Sequence, residues 1–240
     1  MEYKGLTLDK FQEDAIKAIE HNKSVVVSAP TGSGKTLIAD YIIDRDFKKG
    51  IKVIYTAPIK ALSNQKYKEF KRSYGEENVG ILTGDVQKNP DALILIMTTE
   101  IYRNMVLSND PFIEDISYVI FDEIHYINDI ERGYVWEESI IFSKPKVRVL
   151  CLSATIPNAG EFARWIEAIK EHEVAVVTHS ERPVPLHVNF YDAELGITTL
   201  KNLKDHSEIP DYNKVMGKRI RQKHKSPSHL GLIKEMKDKV

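Results

Sequence analysis

Apolar positions along the chain alternate between two spacings. Between Asp9 and His21, the residues Phe11, Ala15, Ile16 and Ile19 recur at helical intervals. Asp9 followed by Gln12 has the form of a capping box, so a helix is predicted to open the fold. Ser24 to Ser28 is then a short Val-rich run, and after Ala29 to Thr36 a second helical pattern begins with Leu37, Ile38, Tyr41 and Ile42. This predicts strand, loop and helix in succession.

Further apolar runs follow at Val53 to Thr56, Val79 to Leu82, Leu93 to Met97, Tyr118 to Phe121, Val147 to Leu152 and Val174 to Val177. Polar, helix-compatible stretches such as Ile59 to Ser73 and Ala159 to Ile169 lie between most of them. Short strands that are apolar on both faces and separated by helices predict an α/β domain with a mostly parallel sheet and helices on both faces. Past Arg182-Pro183-Val184-Pro185 the pattern weakens to one strand-like run, Leu186 to Tyr191. From Lys214 onward nine basic residues face two acidic ones, and His229 to Val240 carries Leu232, Ile233 and Met236 on one helical side. The expected division is therefore a domain over residues 1–192 and a basic connector over 193–240, leading toward an absent partner element.

Composition narrows the picture. With 34 Lys and Arg against 35 Asp and Glu, the net charge is −1, which excludes a uniformly basic nucleic-acid coat and confines any such site to one face. Cys151 is the single cysteine, so an internal disulfide framework and a cysteine metal cluster within one chain are excluded. Together with the lack of a signal-like start at Met1-Glu2-Tyr3-Lys4-Gly5, and of any apolar run near the ~18 residues a membrane helix needs, this gives the expectation of a cytoplasmic protein without membrane contact.

Two segments carry the chemistry. Ala29-Pro30-Thr31-Gly32-Ser33-Gly34-Lys35-Thr36 fits a phosphate loop with Ala in place of the first Gly. Gly32 and Gly34 let backbone N–H groups converge on phosphate oxygens, Lys35 neutralises the β and γ phosphates, and Thr36 offers a hydroxyl to magnesium. Asp122-Glu123 ends the run Tyr118 to Phe121, at the strand edge where α/β sheets bind ligands. Asp122 is expected to hold magnesium and Glu123 to orient the attacking water. His125 reads either as a relay of the γ-phosphate state or as a partly buried imidazole in an ordinary hydrogen bond. Trp136 and Trp165, both in helical contexts, read as core, and Cys151 as a small buried hydrophobe.

Asp122-Glu123-Ile124-His125, together with Ala29 to Thr36 and Ser153-Ala154-Thr155, resembles the motor core of superfamily-two helicases. More narrowly, Thr56 to Gln65, Thr83-Gly84-Asp85 and Met97 to Ile101 look like the superkiller-type RNA helicases, over about Leu6 to Tyr191. The resemblance implies a RecA-like P-loop domain that binds ATP and magnesium. It implies that Gln12 reads the adenine edge, a role set beside its capping one, and that Leu6 stands where relatives often stack an aromatic on the base. Ser153 and Thr155, with His125, would couple nucleotide state to movement. Pro58, Lys60, Asn64, Gln65, Gly84, Asp85, Thr98 and Thr99 would follow the backbone of single-stranded RNA, with DNA an alternative and Glu100 acting as a holder. Such motors place ATP between two lobes, and the second supplies arginines worth on the order of 10³–10⁵ in rate. This chain resembles the first lobe alone, because Gly217-Lys218-Arg219-Ile220-Arg221 lacks the rest of the finger motif.

Overall fold

The computed structural model describes residues 1–154, 156, 158–182, 184, 188–192 and 195–207. Thr155, the basic segment from Lys214 and the helix expected at His229 to Val240 lie outside the described residues. The structure falls into two compact units, divided between residues 183 and 184.

In the first unit a small antiparallel hairpin, β1 (Glu2–Tyr3) and β2 (Leu6–Thr7), precedes α1 (Lys10–Glu20). Lys4 and Gly5 both have positive φ, as a two-residue turn matched to strand twist requires. Then follow β3 (Ser24–Ser28), α2 (Thr36–Phe47), β4 (Lys52–Ala57), α3 (Lys60–Tyr74), β5 (Val79–Leu82), β6 (Gln87–Lys88), β7 (Ile94–Thr98) and α4 (Thr99–Leu107). The unit closes with β8 (Ile116–Phe121), α5 (Tyr134–Phe142), β9 (Arg148–Ser153), α6 (Ala159–Lys170) and β10 (Val174–Thr178).

The main sheet has eight strands in the order β10-β3-β9-β8-β4-β7-β5-β6. Every pair is parallel except β5 with β6. Both faces are covered because neighbouring strand residues point to opposite sides. Val25, Val27, Tyr55 and Leu152 pack with Phe11, Ile19, Ile38, Ile42 and Phe70 from α1, α2 and α3. Val26, Ile54, Phe121 and Cys151 pack with Tyr102, Trp136, Ala163 and Ile166 from α4, α5 and α6. Cys151 and Trp136 are thus core residues, fully buried. No helix of the described residues is long and apolar enough to cross a membrane.

Strand register positions the site. Ser28 pairs with Ser153, Phe121 with Cys151, Thr56 with Phe121, and Ala57 with Thr98. The C-terminal ends of β3, β9, β8, β4 and β7 therefore emerge at one edge, and the segments singled out for phosphate, metal, coupling and nucleic acid each follow one of these strands or β5, while Leu6 and Gln12 precede β3.

The second unit holds β11 (Phe190–Asp192) paired antiparallel with β12 (Gly196–Thr198), followed by α7 (Leu200–Ser207). The division expected between residues 192 and 193 falls inside this hairpin. Of the strand-like run Leu186 to Tyr191, Leu186 and His187 lie outside the described residues and the strand begins at Phe190.

Candidate nucleotide and nucleic-acid site

The loop from β3 into α2 bends at Gly32 and Gly34, whose φ values are +84° and +80°. These are left-handed conformations that residues bearing a Cβ avoid, and they belong to backbone concavities that gather N–H groups around an anion. Gly34 is also constrained by closeness, since a Cβ there would lie 2.7 Å from the Gln12 amide nitrogen. Gln12 is buried, and its Nε2 donates to the carbonyl oxygens of Gly34 at 3.1 Å and Ser33 at 3.4 Å. Its Oε1 accepts the Asp9 N–H at 2.9 Å. One side chain thus ties the start of α1 to the phosphate loop. Ser33 Oγ donates to the Pro30 carbonyl at 2.8 Å, which tightens the same bend.

Lys35 Nζ donates to the carbonyl oxygens of Ala29 at 2.7 Å and Pro30 at 2.9 Å. Burial holds its ammonium below the usual lysine range, against the opposing pull of Glu123 and Asp122. Thr36 is the first residue of α2, at the positive end of the helix. Thr31 is exposed on the loop. Leu6 is also exposed, in the hairpin that Tyr3 anchors through a hydrogen bond to Asp44 of α2.

Asp122 is held on three sides. Its N–H donates to the Thr56 carbonyl at 3.0 Å, its Oδ2 accepts the Tyr55 hydroxyl at 2.5 Å, and its Oδ1 accepts the Glu123 N–H at 3.0 Å. Burial, reinforced by the Asp122 carboxylate, pushes the Tyr55 hydroxyl well above the usual tyrosine range, so it remains a donor. Glu123 has φ +51° and ψ +46°, a left-handed conformation that costs an L residue about 1–2 kcal/mol. It leads into a 3₁₀ segment, Ile124–Asn128. Glu123 Oε2 lies 3.2 Å from His125 Nδ1, yet both atoms are buried without a hydrogen bond of good geometry. Ser153 Oγ is likewise buried and unpartnered. Unmet polar atoms are rare in folded proteins and invite explanation, and three of them stand here at one strand edge. The donor set of loop N–H groups, an ammonium, a hydroxyl and a fixed carboxylate fits a phosphate chain with a hard divalent cation.

The second group of segments lies farther along the same edge. Lys60, at the start of α3, forms an ion pair with Asp85. Gly84 sits against the Lys60 side chain, where an added Cβ would make ordinary contact at 3.5 Å. Asn64 and Gln65 line an open groove along α3 with Ala61, Lys68 and Arg72. Thr98 and Thr99 are buried at the start of α4, and Thr99 Oγ1 faces the Ala57 carbonyl at 3.5 Å. Glu100 is ion-paired with Arg132, whose Nη2 also donates to the Pro58 carbonyl at 2.9 Å.

Arg132 and Tyr55 are the residues that sequence reasoning passed over. Tyr55 reads as strand core, and Arg132 falls at the start of the helical context Glu131 to Ile141, where a charged residue draws no notice. Nothing local marks a partner 74 residues away. Trp136 stacks on Tyr126 at 5.8 Å and Trp165 on Phe162 at 5.7 Å, so neither stands as a free platform. Arg219 and Arg221 lie outside the described residues.

Residues 9–162 match the DEAD/DEAH box helicase family. The antiviral helicase SKI2 of Saccharomyces cerevisiae is 46% identical over 210 residues, which cover 84% of this chain and 16% of that protein. The ATP-dependent RNA helicase mtr4 of Schizosaccharomyces pombe is 44% identical over 225 residues, covering 93% of this chain and 20% of that one. Among solved structures, the Mycobacterium smegmatis helicase Lhr bound to ssDNA and AMP-PNP superposes with a TM-score of 0.57 at 25% identity, over 76% of this chain and 26% of that one. The chain thus spans about a fifth or less of the length of these curated relatives.

Proposed function

The chain belongs to the DEAD/DEAH box helicase family, and from that premise we propose that it is the ATP-binding first lobe of an ATP-dependent RNA helicase. The observation that carries this reading is the common strand edge from which the phosphate loop, Asp122-Glu123, Ser153 and the groove segments all leave. Lys35 exchanges its contacts with the Ala29 and Pro30 carbonyls for phosphate oxygens, while Gln12 keeps the loop in register and meets the adenine edge. Leu6 is the exposed hydrophobe nearest in sequence to take the base. Thr36 and Asp122 are the magnesium ligands, and Tyr55 fixes the Asp122 carboxylate. Bound MgATP supplies the phosphoanhydride bond that is cleaved. Glu123 aligns water toward it, and His125, Ser153 and Thr155 pass the outcome to the groove.

Pro58, Lys60, Asn64, Gln65, Gly84 and Asp85 hold the backbone of single-stranded RNA without reading sequence, while Thr98 and Thr99, buried beneath the groove, position its floor instead of touching the strand as the sequence implied. RNA is favoured because mtr4, 44% identical, is named as an RNA helicase. The DNA reading rests on the Lhr structure with ssDNA. Hydrolysis and unwinding need a second RecA-like lobe, in the same gene product or a separate chain. A cytoplasmic setting accompanies this reading, supported by the single, buried Cys151.

The test is steady-state ATPase with magnesium on the 240-residue chain, with the second lobe absent and then supplied. Single-stranded RNA, the same strand as DNA, and no strand are compared beside Lys35→Ala. Negligible turnover alone, and RNA-stimulated turnover with the second lobe that Lys35→Ala abolishes, is the expected result. Equal stimulation by DNA would move the assignment to the DNA reading, and wild-type nucleotide affinity in Lys35→Ala would remove the phosphate-loop role.

A further inference from the structure

Arg132 stands where three segments of the site meet. Its Nη2 donates to the Pro58 carbonyl at the end of β4 and to Glu100 in the first turn of α4. Thr99 already links those two segments through its contact with the Ala57 carbonyl. Arg132 itself is the end of a short rigid path from Glu123. Asp129 Oδ1 accepts the N–H groups of both Glu131 and Arg132 at 2.9 Å, and the Asp129 carbonyl accepts the Gly133 N–H at 2.8 Å. Gly133 is pressed against the 3₁₀ segment that follows Glu123, since an added Cβ would lie 2.2 Å from the Ile127 carbonyl oxygen and 2.7 Å from that of Asp129. The guanidinium lies 5.8 Å from the ring centre of the buried Trp136, which borders its position from α5.

We propose that Arg132 is a positioning residue that couples strand binding at the Pro58 and Glu100 segments to the Glu123 loop, so that nucleic acid in the groove accelerates hydrolysis. The inference rests on the first-lobe reading above. Both contacts leave one nitrogen, Nη2, whose two N–H bonds are fixed in the guanidinium plane and so hold the carbonyl and the carboxylate at a set angle, where a lysine ammonium rotates freely on its stem. A displacement of either groove segment is then felt by the turn 129–133 and, through Gly133 on Ile127, by the 3₁₀ segment that begins at Glu123. Arg132 touches neither nucleotide nor reacting water in this scheme. Its effect is on the rate at saturating strand rather than on affinity.

The test uses the two-lobe enzyme with a homopolymeric single-stranded RNA, and compares wild type, Arg132→Gln, Arg132→Lys and Glu100→Gln. Three quantities are read: kcat without RNA, kcat at saturating RNA, and the RNA Kd by fluorescence anisotropy. The expected result for Arg132→Gln is a kcat at saturating RNA about tenfold lower, a little over 1 kcal/mol by transition-state arithmetic, with the RNA-free rate and the Kd within about twofold of wild type. Arg132→Lys should recover part of the loss. Glu100→Gln should lower the kcat at saturating RNA by a similar factor, and on that rate the double variant should be no worse than either single one.

A fall of both rates together would mean a merely structural role and overturn the proposal. So would a weakened Kd with normal kcat at saturation, which would make Arg132 a direct phosphate contact. Unchanged stimulation would overturn it as well. Absence of RNA stimulation in the wild type would be visible before any variant is made, and it would bring down the first-lobe reading together with this inference.

Discussion

Gln12 and Gly34 are locked together across the entrance to the phosphate loop. The Gln12 amide nitrogen donates to the Gly34 carbonyl at 3.1 Å, and a Cβ on Gly34 would meet that nitrogen at 2.7 Å. The same Gln12 side chain accepts the Asp9 N–H, so the start of α1 and the shape of the loop are not independent.

Two substitutions test those roles. Gln12→Ala leaves the Asp9 N–H without a partner and takes one of two donors from the Gly34 carbonyl, which keeps the Leu37 N–H, so it should lower stability by about 1–2 kcal/mol, as cap losses do, and weaken nucleotide binding. Gln12→Glu keeps an acceptor for Asp9 but sets a carboxylate against the Gly34 carbonyl. Buried and facing carbonyl oxygens, that carboxylate should lower the melting temperature as well, and affinity for a fluorescent nucleotide should fall about tenfold or more. Equal nucleotide affinity in both variants and wild type would mean that Gln12 serves the helix alone.

Tyr55→Phe removes the hydroxyl that fixes Asp122 at 2.5 Å and changes nothing else in the strand. Partners that orient a metal-binding carboxylate are typically worth about 10–100-fold in metal affinity or activity. The magnesium concentration for half-maximal ATPase of the two-lobe enzyme should therefore rise about tenfold or more, with the protein fold intact by circular dichroism. A magnesium dependence identical to wild type would detach Tyr55 from the metal.

Glu123→Gln keeps the size and the hydrogen-bonding reach of the side chain but removes its charge. Nucleotide affinity should stay within a few-fold of wild type while hydrolysis in the two-lobe enzyme stops, because the water loses its base. Titration with a fluorescent ATP analogue beside a phosphate-release assay distinguishes the two effects. Loss of binding would reassign Glu123 to holding phosphate or metal.

Much of the fold is legible because its strands are apolar on both faces and its helices on one. The run Val79 to Leu82 coincides with β5, and Ser24 to Ser28 with β3. β6 is invisible by the same logic: Gln87 and Lys88 are polar edge residues whose pairing comes from β5. Strand order is not written locally either, since β3 lies between β9 and β10, each paired across a long stretch of chain. The site is legible where backbone chemistry demands particular residues, as at Gly32, Gly34 and Lys35. Side chains that act at long range escape notice. Lys170 looks like a surface charge near the end of α6, yet it is buried, donates to the carbonyls of Ser143 and Lys144 at 2.8 Å, and is pulled by burial to about 8.

His172 gives the molecule a pH dependence away from the site. Its Nδ1 lies 3.1 Å from Arg148 Nη1, which can only donate, so Nδ1 is an acceptor and Nε2 carries the proton toward Ser24 Oγ at 2.6 Å. Ser24 Oγ in turn accepts the Val149 N–H at 2.9 Å, so the neutral ring links β3 to β9 at the edge opposite the nucleotide site. Burial first, and the Arg148 charge second, lower the imidazole below the usual histidine value of 6.5. The folded state therefore binds fewer protons at this ring than the unfolded chain. The stability it confers is present above about pH 6.5 and is lost as the pH falls through the lowered folded value. Urea unfolding at pH 7.5, 6.5 and 5.5 should show a smaller loss on acidification for His172→Gln than for wild type, because an amide can keep the Ser24 contact without titrating. Parallel losses in the two proteins would show that the acid sensitivity of the fold lies elsewhere, in its paired carboxylates.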